Sequence, residues 1–103
     1  MDQPWKMYSG HDCEHGRKIF LVDGFYVRNT FDSDFSQGGN GYRYRWIPKS
    51  EIWIDACLSP EEMDFVVYHE CVECEFMLKD GDTYYRAHNR AKYREDKLRR
   101  ALL

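Results

Sequence analysis

The sequence predicts an α+β fold, a small antiparallel sheet followed by two packed helices, and three observations carry that prediction. Apolar β-forming runs bounded by turn residues fill residues 17–58. Helical periodicity fills residues 59–103 and is broken once, at Asp80-Gly81. Strands gathered in one block and helices in another is the order that gives segregated layers around one core. At 103 residues the chain is expected to be a single domain, with residues 1–16 as a loosely ordered leading segment.

Within that leading segment His11, Cys13 and His15 read as surface side chains, with a metal site among them as the minor alternative. Lys18–Asn29 reads as a hairpin, Lys-Ile-Phe-Leu-Val and Phe-Tyr-Val-Arg-Asn around the turn pair Asp23-Gly24. Asp32–Gly41, rich in Ser, Asn and Gly, is expected to be a flexible loop, long enough to act as a flap but more simply read as a plain surface loop. Tyr42–Ile47 alternates aromatic and Arg residues as a strand does, aromatics to the core and Arg outward. The same run suits stacking of single-stranded nucleic acid, which the strand makes unnecessary. Glu51–Asp55 is a further short strand, close to an edge. Ser59 then offers a hydroxyl N-cap, Pro60 takes the first helical position, and Glu61 and Glu62 favour the positive end of the helix dipole. That helix should reach Lys79, where Gly81 can take the left-handed cap, and Asp82-Thr83 opens a second helix.

A net charge of −3 gives no overall pull towards nucleic acid. From Arg86 to Arg100 basic residues outnumber the acids Glu95 and Asp96, a pattern that a solvated helix face explains and that leaves a nucleic-acid-associated factor as a distant alternative. No apolar run is of membrane-spanning length and the N-terminus lacks a signal-peptide core, so a cytoplasmic location is expected. Four cysteines there are expected as thiols. Cys71 and Cys74, with Cys13 and Cys57, have the spacing of a four-Cys zinc site, but their place in mid-helix favours buried core thiols.

The chemistry concentrates in His69-Glu70-Cys71-Val72-Glu73. Residues four apart share a helix face, so His69 and Glu73 can grip one ion while Glu70, about 100° round, can act on water. The helix is apolar around much of its circumference and is expected to be buried, which makes unpaired carboxylates on it costly. On the second helix Tyr84, His88, Ala91, Glu95, Leu98 and Leu102 fall on one stripe. A short antiparallel connection returns His88 alongside His69 and Glu73, completing three ligands of types zinc accepts, with Glu95 free to orient an imidazole from behind. A metal-free alternative pairs the two His with Glu73 and Glu95 in a buried ionic network. The C-x-x-C overlap does not match the zinc deaminases, whose H-x-E and P-C-x-x-C elements sit on separate helices.

His69, Glu70 and Glu73, followed by Tyr85, Ala87, His88, Ala91 and Glu95, make this chain similar to small zincin-like metalloproteins of phages and prophages, which carry HExxE on one helix and an AHxxAxxxE-type second helix. The resemblance covers roughly the last 50 residues, from the Glu51–Asp55 strand onward. It implies a minimal zincin-like domain with that strand beside a substrate cleft. It further implies zinc on His69, Glu73 and His88, and Glu70 as general base towards a peptide or protein substrate. Tyr84 or Tyr85 would be placed near the developing oxyanion. Glu73 stands where the second His is usual, and two His with one carboxylate also suit iron or manganese. The expected function is a metal-dependent hydrolase. The alternative is a non-catalytic phage accessory or binding protein that keeps the metal, or the His/Glu network, for structure.

Overall fold

The computed structural model describes residues 3–102. Four strands, β1 (Lys6–Asp12), β2 (Lys18–Val22), β3 (Gly38–Asn40) and β4 (Glu51–Asp55), form one sheet in the order β1-β2-β4-β3. Three helices accompany it: α1 (Gly24–Thr30), α2 (Pro60–Lys79) and α3 (Tyr84–Ala101). The class is α+β, but the sheet is mixed. β1 and β3 are antiparallel to their neighbours, while β2 and β4 run parallel, Lys18 opposite Glu51 and Val22 opposite Asp55.

The parallel pair is possible because the expected hairpin is not one. Asp23 caps a helix instead, its carboxylate accepting the Tyr26 N–H, and Gly24–Thr30 turns away over one face of the sheet as α1. Asp-Gly serves as a turn pair or as N-cap and N1, and local sequence does not choose between them. A side chain at Gly24 would collide with the Asp55 carboxylate, so only glycine lets α1 start against β4. The leading segment is also ordered differently from expectation, since Lys6–Asp12 pairs with β2 as a polar edge strand. Tyr42–Ile47 is a series of turns rather than a strand.

β4 is one strand in from the edge and covered on both faces, which explains its unbroken Ile-Trp-Ile run. Ile52 and Ile54 face α2 and pack with Ile19, Val66 and Cys74. Trp53 faces the other way, into Val22, Val27, Phe35, Tyr44 and Ile47. α2 is thus sandwiched between the sheet and α3, and its ends match the expected ones. Ser59 accepts the Glu62 N–H, Thr83 accepts the Arg86 N–H, and Gly81 (φ 67°) supplies the left-handed residue between the helices. Ala87 and Ala91, both fully buried, let α3 approach closely. No helix among the described residues is long and apolar enough to cross a membrane.

Cysteine pairing departs from expectation as well. Cys13 and Cys71 form a disulfide, which fastens the β1–β2 connection to the middle of α2, while Cys57 (exposed) and Cys74 (buried) remain thiols. Cys13 is therefore a core residue, 6% exposed, and among the described residues no metal cluster forms with His11 or His15. The bond closes a loop across 58 residues of chain. Loop-closure entropy over that length corresponds to about 4 kcal/mol. Reduction, or a Cys13→Ser/Cys71→Ser double variant, is expected to lower unfolding free energy by about 2–4 kcal/mol in urea titrations, and Cys57→Ser by well under 1 kcal/mol.

Candidate metal centre

α2 and α3 run antiparallel, and the point where they cross closest to β3 is polar. His69 Nε2 lies 3.0 Å from Glu73 Oε2 and 3.2 Å from His88 Nδ1, and His88 Nδ1 lies 3.0 Å from Glu73 Oε2. Among the described residues this is the one group of three or more His, Cys, Asp or Glu side chains gathered to metal-binding distance. The triangle forms because His69 and Glu73 are one helical turn apart on α2 and the short connection folds His88 back against them. A tetrahedral ion with bonds of about 2.0–2.1 Å requires ligand separations of about 3.4 Å, so shifts of a few tenths of an ångström would admit one. The donor types also fit, two imidazoles and a carboxylate.

The surroundings fix how those donors point. His69 Nδ1 is 2.8 Å from Glu95 Oε1. A carboxylate only accepts, so Nδ1 donates to Glu95, and Nε2 donates to Glu73 in protonated His69; loss of that second proton would leave the Nε2 lone pair facing the triangle. Glu95 is held in turn by Arg99 Nε at 2.7 Å, one turn along α3, and Arg99 forks onto both oxygens of Glu62 at the start of α2. On the other side Glu73, 1% exposed, and Glu70 both accept from the Asn40 amide, at 3.3 and 3.4 Å. Asn40 is fully buried at the end of β3, and its own oxygen accepts the N–H groups of Tyr42 and Arg43. That turn leaves its NH2 only one direction to face, into the two carboxylates. Sequence reasoning missed Asn40, Arg99 and Glu62. Glu95 and Arg99 at i and i+4 was a usable signal, whereas Asn40 looked like one more loop residue in Gly-Gly-Asn-Gly.

Electrostatics follow burial. Glu70 is pushed up to about 8, first by desolvation and then by the charge of Glu73. Burial pulls His69 down, but its hydrogen bond to Glu73 and the charges of Glu70 and Glu73 outweigh this and hold it above its ordinary value. Tyr44 is pushed up to about 12 and Tyr84 is also raised, both chiefly by burial, so their hydroxyls keep their protons.

The triangle opens on a cleft of about 290 Å³, walled by α2 and α3 and by residues 36–39. Glu70, Tyr84 and Glu95 line it. Tyr85 does not, being 76% exposed on the other side of α3. The strand beside the cleft is β3 rather than Glu51–Asp55, because β3 pairs along the outer edge of β4. A side chain on Gly38 would press against the Trp53 carbonyl and the Glu70 Cγ at 3.0 and 3.1 Å, so glycine there lets α2 bring Glu70 up to the sheet edge. No protein-family model, curated protein or solved structure matches this chain.

Asn40→Ala strips four buried polar groups of a partner at once. It should cost about 1–3 kcal/mol in denaturant unfolding, while Asn29→Ala, on the exposed end of α1, should stay within about 0.5 kcal/mol.

Proposed function

We propose that the protein is a metal-dependent hydrolase of the zincin-like type acting on peptides, with His69, Glu73 and His88 as metal ligands and Glu70 as general base. One observation carries the reading: three ligand atoms within 4.8 Å of one another, on two helices, at the wall of a cleft that Glu70 also lines. A divalent cation held there would supply Lewis acidity and lower the pKa of a bound water, and zinc suits the donors best, with iron or manganese as alternatives. A cation held by His69 and Glu73 would favour the ionised form of Glu70, which otherwise keeps its proton near neutrality. Its carboxylate then accepts a proton from water and returns it to the leaving amine. Tyr84, kept protonated, offers a hydroxyl to the developing oxyanion. β3 ends the sheet on this side, and an extended peptide can add to such an edge.

The resemblance to phage and prophage zincin-like proteins supports the same reading through His69, Glu70, Glu73, His88 and Glu95, and with it a place in a host cytoplasm. The disulfide pulls against that location, since cytosolic thiols are kept reduced. The second reading, a non-catalytic binding protein, draws on the completeness of the network. Glu62, Arg99, Glu95, His69, Glu73 and Asn40 satisfy one another with protons alone.

Elemental analysis of protein purified without a chelating tag decides between them. About one equivalent of zinc is expected in the wild type and none in a His69→Ala/His88→Ala double variant. Absence of metal in both, with no rise in melting temperature on adding zinc, would establish the proton-filled network. Glu95→Gln should weaken zinc binding about 10–100-fold in competition with a chromogenic chelator, because it loosens the hold on His69 Nδ1. Glu70→Gln should keep the metal and lose about 10²–10⁴ of any peptide hydrolysis. Full activity in that variant would remove Glu70 from its role.

A further inference from the structure

Arg43 lines the same cleft as the His/Glu triangle, and among the described residues its charge has no partner of opposite sign. The other half-buried arginines are satisfied. Arg17 bonds the Tyr42 hydroxyl and backbone carbonyls, Arg28 faces Asp55, Arg90 holds Asp80 and Asp82, and Arg99 holds Glu62 and Glu95. Arg43 pairs with no carboxylate among the described residues, and its Nε is buried without a hydrogen-bond partner. Its guanidinium is clamped between two aromatic rings, 4.8 Å from the centre of Tyr44 and 4.3 Å from that of Tyr84. Those contacts hold the guanidinium in place, and beyond its contact with the Tyr84 hydroxyl they leave its N–H donors for a ligand. The backbone is fixed as well, since the Arg43 N–H donates to the Asn40 side chain.

From these contacts we propose that Arg43 is the anion subsite of the cleft and that it takes the C-terminal carboxylate of a peptide. A guanidinium edge matches a carboxylate with two parallel N–H donors. The cleft also carries Glu73 and Glu95, whose negative charge disfavours a dianionic phosphate more than a monoanion. One ring separates the subsite from the triangle: Tyr84 packs on Arg43 and has its centre 5.4 Å from that of His88. The two ring distances together put the guanidinium within about 10 Å of the His88 ring, which at about 3.3–3.6 Å per extended residue is at most about three residues. The preferred substrate is then a peptide that ends no more than about three residues beyond the bond to be cut. This substrate class rests on the hydrolase reading, while the anion subsite itself does not.

The test is calorimetric titration of an N-acetylated dipeptide with a free C-terminal carboxylate, beside its C-terminal amide. Wild type, Arg43→Gln and Arg43→Lys are compared, each with one equivalent of zinc and again after chelation, with thermal melts to confirm folding. The wild type is expected to bind the free acid at least tenfold more tightly than the amide under both conditions. Arg43→Gln should abolish that preference. Arg43→Lys should keep a fraction of it, because an ammonium retains the charge but not the planar fork. Equal binding of acid and amide by the wild type, failure to bind either, or an undiminished preference in Arg43→Gln would each overturn the proposal. Zinc binding in the same samples separates the two ideas. A preference without zinc binding leaves the subsite and removes the metallohydrolase, and zinc binding without a preference removes the subsite alone.

Discussion

The structure is organised around a carboxylate that has no business being where it is. Glu73 is almost completely buried in a helix packed between a sheet and another helix, where an unpaired charge costs several kcal/mol. Each neighbouring polar device addresses that cost. His69 and His88 converge on one oxygen and Asn40 donates to the other. Behind His69 stands Glu95, and behind Glu95 the Arg99–Glu62 fork that ties the far ends of α2 and α3. Fully connected, such a network fixes the helix pair in one register; left half-connected, it would be worse than an apolar core. A structural role alone would be met more cheaply by Leu or Met at these positions. Their polarity favours a site over a scaffold.

Which parts of this were legible in the sequence follows from the range of the interactions. The ends of α2 and the start of α3 could be placed closely because they are set locally, by Ser59 and Pro60, by Gly81, and by Thr83. The convergence of His69, Glu73 and His88 was also visible, since it needs only helical periodicity and a short connection. The sheet was not legible to the same degree. Asp23-Gly24 is ambiguous between a turn and a helix cap, and the choice rests on whether α1 can lie against Asp55, a contact 31 residues away that the local sequence does not show. Lys6–Asp12 is a polar edge strand without alternating hydrophobicity. The run Ile52-Trp53-Ile54 did carry a signal of burial on both faces, and with it a parallel neighbour, but it was read as a strand close to an edge. The Cys13–Cys71 pairing depends on the fold as a whole and has no local signature.

Asn40 joins the two halves of the cleft. Its NH2 braces Glu70 and Glu73 beside the His/Glu triangle, and its oxygen sets the backbone of Arg43 on the other side. Asparagine supplies both a donor pair and an acceptor in one planar group, which Asp, Ser or Gly at that place cannot do together. The loop that the sequence suggested as a flexible flap is instead a fixed wall. β3 pairs with β4 and Gly38 fits tightly against Trp53 and Glu70. Selectivity in so small a domain must then come from fixed charges rather than from closure of a lid. The charged groups on the cleft walls are Glu73 and Glu95, Glu70 once ionised, the clamped guanidinium of Arg43, and Lys92, which is paired with Asp96. A cleft built that way discriminates by where a ligand carries its own charge, and the proposed ligand, a short peptide with a free carboxylate, would place its charge at the guanidinium.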